Sequence, residues 1–81
     1  MDFFIVKFDG RFGIFGQNKR TVTVGYSQEG ETFLEFAKEV IKDFRGSKFH
    51  YSADPQIIAR VRKKVADDIA IISMMKDHLS R

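Results

Sequence analysis

A basic run, Arg60-Val-Arg-Lys-Lys64, holds the side chains of this sequence that are best suited to chemistry. On a helix, Arg60, Lys63 and Lys64 share an outward face, while Arg62 flanks the apolar stripe. Long cationic side chains on a rigid helix can contact phosphate groups. Aspartates stand four residues after both lysines, at the spacing of intrahelical ion pairs, and would cancel part of this positive field. Nucleic-acid binding through these four cations is therefore an alternative function.

The other candidates for chemistry are a glycine-rich segment and two histidines. The segment Gly10–Gly16 has neither the glycine spacing of a dinucleotide-binding turn nor the Gly-Lys-Ser/Thr of a phosphate loop. His50 lies between aromatic residues and His78 lies near the end of the sequence, and neither has an evident carboxylate or hydroxyl partner. Because there is also no cysteine to complete a zinc set, we expect no catalytic residue, metal site, cofactor or small-molecule ligand. The sequence predicts that the protein is not an enzyme.

Composition sets the class of protein. A length of 81 residues, with nine phenylalanines and a single proline, predicts one small ordered domain over residues 1–81. The net charge of +3 is a mild excess that does not by itself indicate a nucleic-acid-binding protein. The sequence shows no signal-peptide pattern and no run of about 20 apolar residues that could span a membrane. We therefore expect a cytoplasmic protein without membrane contact.

Three antiparallel strands joined in a meander are predicted at residues 2–8, 11–15 and 20–26. All three are rich in aromatic or β-branched residues. Asp9-Gly10 separates the first two strands and is the strongest two-residue hairpin signal, since both central residues of a type I′ turn need positive φ. A short fourth strand near residues 48–52 is a further candidate, through Phe49 and Tyr51.

Two helices are predicted after the meander. Thr32 and Glu35 have the Thr-x-x-Glu spacing of a capping box, and Gly46 suits the end of the first helix. Asp54-Pro55 places a preferred N-cap residue before a proline in the first helical position, and the second helix is predicted to run to Arg81. The predicted fold class is α+β, with a three-stranded meander packed with two helices in the order βββαα.

Strand alternation gives the predicted sheet two apolar faces. If the hairpin loop has two residues, Phe8 pairs with Arg11. One face then carries Phe3, Ile5, Phe12 and Ile14. The opposite face carries Phe4, Val6, Phe8 and Phe15. Since one helix layer covers only one face, the second face must meet the other helix, a partner or water.

The C-terminal helix provides a second apolar surface. Twenty-five helical residues span about 37 Å, whereas strands of six residues span about 20 Å, so this helix must extend beyond its own sheet. The extension contains Ile69–Met75, which is apolar all round. We expect a small binding or regulatory protein that acts through protein–protein contact, as a homodimer or with an unidentified protein partner. The expected interface residues are Phe3, Ile5, Phe15, Ile71, Met74 and Met75.

Overall fold

The sheet has four strands and lies between two helices. The structure is a computed structural model that describes residues 1–79, with side chains described as far as Lys76. The elements are β1 (Asp2–Phe8), β2 (Arg11–Gln17), β3 (Val22–Tyr26), α1 (Phe33–Asp43), β4 (Lys48–Tyr51) and α2 (Pro55–Leu79). The strand order is β3-β2-β1-β4, with β4 parallel to β1 and the other pairs antiparallel. The α+β class, the meander and the fourth strand are confirmed, and β4 separates the two helices in the chain.

The tight turn between β1 and β2 fixes the register of the sheet. Asp9 has a φ of +48° and Gly10 a φ of +73°, as the two central residues of a type I′ turn require. Phe8 therefore lies opposite Arg11. Because side chains alternate along a strand, this register confirms the predicted division of the sheet into two apolar faces.

Helix α1 covers the first face through a layer of aromatic rings. Its N-cap Thr32 accepts a hydrogen bond from the backbone N–H of Glu35, and Gly46 adopts a φ of +83° just beyond its end. The buried cluster beneath α1 consists of Phe3, Ile5, Ile14, Phe36 and Val40, with Phe12, Phe33, Phe44 and Phe49 packed against it. Rings such as those of Phe3 and Phe44, with centroids 4.5 Å apart, fill the space between helix and sheet.

Helix α2 covers the second face. Asp54 caps it by accepting a hydrogen bond from the backbone N–H of Gln56, as the sequence predicted. Val61 is completely buried against Val6 and Phe8. This close approach depends on Gly13, because an ideal Cβ there would lie 2.5 Å from Cγ1 of Val61. The two helices therefore enclose the sheet, and the part of α2 predicted beyond residue 79 lies outside the described residues.

The third strand begins two residues later than the sequence predicted. The side chain of Asn18 accepts hydrogen bonds from the backbone N–H groups of Arg20 and Thr21, at 2.9 and 2.8 Å. These two N–H groups close the turn and are not available to the sheet. Asparagine commonly organises a turn in this way, and β3 accordingly starts at Val22.

Candidate interaction surfaces

Two polar contacts hold the first half of α2 against the sheet. The guanidinium of Arg62 donates two hydrogen bonds to the carboxylate of Asp9 in the β1–β2 turn, each 3.0 Å long. The hydroxyl of Tyr26 in β3 donates a hydrogen bond of 2.8 Å to the carboxylate of Asp68. The Asp68 contact marks the position along α2 at which the helix reaches the edge strand β3.

The contact between Tyr26 and Asp68 perturbs both groups in opposite directions. The hydrogen bond from Tyr26, together with that from Lys64, lowers the pKa of the Asp68 carboxyl. The same hydrogen bond, with a smaller contribution from burial, raises the pKa of the Tyr26 hydroxyl. At neutral pH the pair is thus an ionised carboxylate that accepts a hydrogen bond from a neutral phenol.

Beyond Asp68, α2 continues past the sheet as an apolar overhang, here defined as residues 69–75. Its large apolar side chains are between 52% and 71% exposed, namely Ile69, Ile71, Ile72, Met74 and Met75. The radius of gyration is 14.0 Å and the longest dimension 46 Å, whereas a compact chain of this length has a radius of roughly 12 Å. The predicted extension of the helix beyond its sheet is therefore present, and its large apolar side chains are more than half exposed.

The expected interface residues divide into two groups. Ile71, Met74 and Met75 are exposed on the overhang. Phe3 and Ile5 are buried beneath α1, and Phe15 is buried on the α2 face. The sheet residues of the expected interface are covered because each sheet face has its own helix. The three sheet residues therefore belong to the core and not to the exposed surface.

A second apolar surface, the α1/β4 groove, lies between α1 and the edge strand β4. Its volume is about 260 Å³. It is lined by Phe33, Ala37, Val40 and Ile41 of α1, Phe49, His50 and Tyr51 of β4, and Ile5 of β1. Ile41 and Leu34 on the helix side and Tyr51 on the strand side are all more than half exposed. The groove was not predicted from the sequence, although exposed apolar residues of α1 such as Leu34 and Ile41 are the signal that could have indicated it.

Most of the basic run is engaged within the chain. The guanidinium of Arg60 lies over the ring of Phe15, 5.3 Å from its centroid. Arg62 is paired with Asp9, and Lys64 lies 3.2 Å from Asp68. Among the described residues, Lys63 alone of the four predicted phosphate-binding cations has neither an ion pair nor an aromatic contact. The structure therefore leaves little uncompensated positive charge at the proximal half of α2.

The opposite side of the molecule carries acidic residues. Glu31, Glu35 and Glu39 line a polar depression beside α1. The nearby charge of Glu31 is the main reason that the pKa of Glu39 is raised. His50, the one histidine with a described side chain, lies 3.7 Å from Asp2 at the surface. Within the part of the chain that the structure describes, no group of three or more His, Cys, Asp or Glu side chains is arranged to hold a metal ion.

Comparison with known proteins gives no guide to function. No protein-family model, curated protein or solved structure matches this chain. None of the described helices is both long enough and apolar enough to cross a membrane.

Proposed function

We propose that this chain is a small non-enzymatic binding protein that acts through protein–protein contact and associates with further copies of itself. The observation that supports this proposal is the apolar overhang, which carries five large side chains, each more than half exposed, beyond the last polar contact of α2 with the sheet. Exposed apolar clusters of this kind are typical of interaction sites. Methionine suits such a site because its flexible side chain adapts to the opposing surface. The cytoplasm is the compartment that we propose from the sequence.

The energy available from the overhang supports a reversible contact. Fully burying one side chain of this type contributes about 1.5–3 kcal/mol. Since about half of each side chain is exposed, burying the exposed parts of all five would contribute roughly 4–8 kcal/mol per chain. Association costs about 4–15 kcal/mol in lost translational and rotational freedom. The burial free energy of the apolar surfaces of two chains therefore exceeds this cost by only a small amount. We expect a dissociation constant on the order of micromolar or weaker.

Sedimentation velocity of the full chain tests this proposal, over concentrations from about 1 μM to about 1 mM, a range that brackets the expected dissociation constant. We expect the weight-average sedimentation coefficient to rise with concentration. Met74→Lys should suppress the rise, because a charged group at this exposed position of the overhang would have to be desolvated in the contact.

The matched control is Ala59→Lys, which introduces the same residue at an exposed position of α2 on the part that lies over the sheet. This variant should associate like the unmodified chain. A chain that stays monomeric at the highest concentration would overturn the proposal, as would equal association of the Met74→Lys variant and the unmodified chain.

Nucleic-acid binding is the alternative function, and it depends on the cations of the proximal half of α2. Three of those four cations already have partners within the chain. A binding titration at two salt concentrations distinguishes the alternatives, because phosphate contacts weaken steeply with salt. Nucleic-acid binding that disappears in the double variant Lys63→Glu/Lys64→Glu would support the alternative. A lack of nucleic-acid binding at low salt would exclude it.

A further inference from the structure

We propose that the apolar overhang of one copy docks into the α1/β4 groove of a second copy, so that the chains associate head to tail. This inference rests on the proposed self-association and names the surface on which the overhang is received. Both surfaces are present on every chain, and neither is covered by other described residues.

The distribution of apolar side chains around the overhang favours a concave acceptor. Ile72 and Met75 continue the sheet-facing stripe of α2, whereas Ile71 and Met74 point away from it, according to the 100° step per residue of a helix. Ile71 and Met74 therefore project from one side of the overhang. A groove that accepts the projecting side chains is the common way in which a protein receives an apolar helix.

The groove has the properties that such a helix needs. It is open along one side and lined almost entirely by apolar side chains, with His50 and Tyr51 as the two lining residues that carry a polar group. Its walls end in the exposed side chains of Ile41 and Tyr51. Its volume of about 260 Å³ is suited to a few inserted side chains rather than a whole helix. Side chains one helical turn apart on the overhang, such as Ile71 and Met74, match this size.

The area of the two surfaces also favours their use together. At about 25 cal/mol per Å², the burial energies of such side chains correspond to roughly 60–120 Å² each, so the exposed parts of the overhang amount to roughly 150–300 Å². This is well short of the roughly 800 Å² per partner of a standard interface. A contact between two overhangs would leave both grooves uncovered, whereas each overhang–groove contact covers one surface of each kind.

One pair of charged residues beside the two surfaces has opposite signs. Asp67 lies on α2 just before the overhang, and Lys38 lies on α1 directly after Ala37, which lines the groove. Among the described residues, neither Asp67 nor Lys38 takes part in an ion pair within the chain. These two charges are therefore available to orient an incoming overhang.

The positions of the two surfaces determine the type of assembly. The overhang extends beyond β3, whereas the groove borders β4. These two strands form the opposite edges of the sheet. A contact between different surfaces at opposite ends is heterologous, and it leaves one free overhang and one free groove on each pair. Growth by addition of further chains is the expected consequence.

Cysteine cross-linking tests this arrangement because the chain has no cysteine of its own. One population carries Ile41→Cys in the groove and a second carries Met74→Cys on the overhang. After mixing under mild oxidation, we expect the mixed disulfide to be the main product, since a disulfide needs Cα atoms within about 7 Å. The control replaces Met74→Cys with Ala59→Cys, whose exposed site lies outside the overhang, and should lose this product.

The outcomes separate the inference from the proposed self-association. A Met74→Cys population that links mainly to itself would overturn the groove contact and leave self-association standing. Monomers in both the cross-linking and the sedimentation experiments would overturn both. A chain that carries both cysteines should give a ladder of products, and a series that ends at the dimer would contradict the head-to-tail arrangement.

A variant without cysteine provides an independent check. Ala37→Phe places a ring in the groove, which Ala37 lines, and leaves the overhang unchanged. We expect the concentration at half-association to rise about tenfold, equivalent to about 1.4 kcal/mol. Unchanged association in a variant whose circular dichroism spectrum is also unchanged would overturn the groove contact.

Discussion

The replacement Gly13→Ala tests the contact that allows α2 to lie close to the sheet. An ideal Cβ at this position would lie 2.5 Å from Cγ1 and 3.1 Å from Cγ2 of Val61, and 3.1 Å from Cε1 of Phe8. Carbon atoms in favourable contact are about 3.5–4.0 Å apart. The helix must therefore move away by about 1 Å, or Val61 must leave its preferred rotamer.

The expected loss of stability follows from two opposing effects. Overpacking of a dense core costs about 1–3 kcal/mol. Replacing glycine with alanine restricts the unfolded chain and returns about 0.4–1 kcal/mol. We expect Gly13→Ala to lower the free energy of unfolding by about 1–2 kcal/mol, a large share of the roughly 4–12 kcal/mol expected for a chain of this length.

Urea denaturation followed by circular dichroism measures this loss. With a slope of about 1 kcal/mol per molar urea, the midpoint should fall by roughly 1–2 M. Gly25→Ala is the matched control, because it makes the same change in a neighbouring strand where the nearest atom, Cγ2 of Ile14, lies 3.1 Å from the new Cβ. A few tenths of an ångström of movement accommodates that Cβ, so the control should change the midpoint much less.

A double-mutant cycle identifies the cause of the loss. Val61→Ala removes two methyl groups from a fully buried side chain and should cost about 2 kcal/mol by itself. In the chain that carries both changes, the new methyl group at position 13 occupies space that the Val61 methyl groups have left. The combined loss should then be smaller than the sum of the single losses by roughly 1 kcal/mol. Strict additivity would refute the explanation based on this contact.

Three further predictions concern the turn and the edge strand. Gly10→Ala should lower the urea midpoint through backbone strain alone, since Gly10 has a φ of +73° and no atom outside residues 9–11 lies within 4 Å of an added Cβ. Gly10→Asn should restore most of the loss. Ser27→Ala should cost about 1–3 kcal/mol, measured by urea denaturation, because the backbone N–H of Phe12 would lose the buried hydroxyl to which it donates. The lowered pKa of Asp68 stabilises the fold at pH values above the unfolded pKa of about 3.9, and this stabilisation disappears as the pH falls through the folded pKa. The raised pKa of Tyr26 stabilises the fold below about pH 10, and this stabilisation disappears as the pH rises above that value. Tyr26→Phe should therefore flatten the stability profile at both extremes of pH, and an unchanged profile would contradict this assignment.

The register of the sheet was predictable because a local signal determines it. A two-residue turn with positive φ at Asp9 and Gly10 allows one pairing of β1 with β2, and that pairing assigns every side chain of both strands to a face. The pairing of β4 with β1 has no comparable local signal. β4 has only four residues, and the alternating pair Phe49 and Tyr51 does not indicate which strand lies beside it. The crossover through α1 determines which edge of the sheet β4 reaches.

The expected interface included sheet residues because the sequence does not show which helix covers which face. Phe15 illustrates the difficulty. Its ring is covered in part by Arg60, whose long side chain lies over it. The alternative function predicted from the sequence makes this arginine a phosphate ligand, although arginine can pack its stem and planar guanidinium against an aromatic ring. A charged residue on the outward face of a predicted helix can therefore complete a core.

The helical conformation of the overhang itself supports the presence of a partner. Ile69, Ile71 and Ile72 are β-branched and form helices less readily than alanine or leucine, and a short segment gains little helical stability by itself in water. Helices in proteins are stabilised chiefly by the packing of their apolar face. Within the described residues, the last polar contact of α2 with the sheet is at Asp68, so the sheet contributes little packing beyond that point. A surface on another chain would supply the missing stabilisation, and the α1/β4 groove is an apolar, concave surface that every copy of this chain presents.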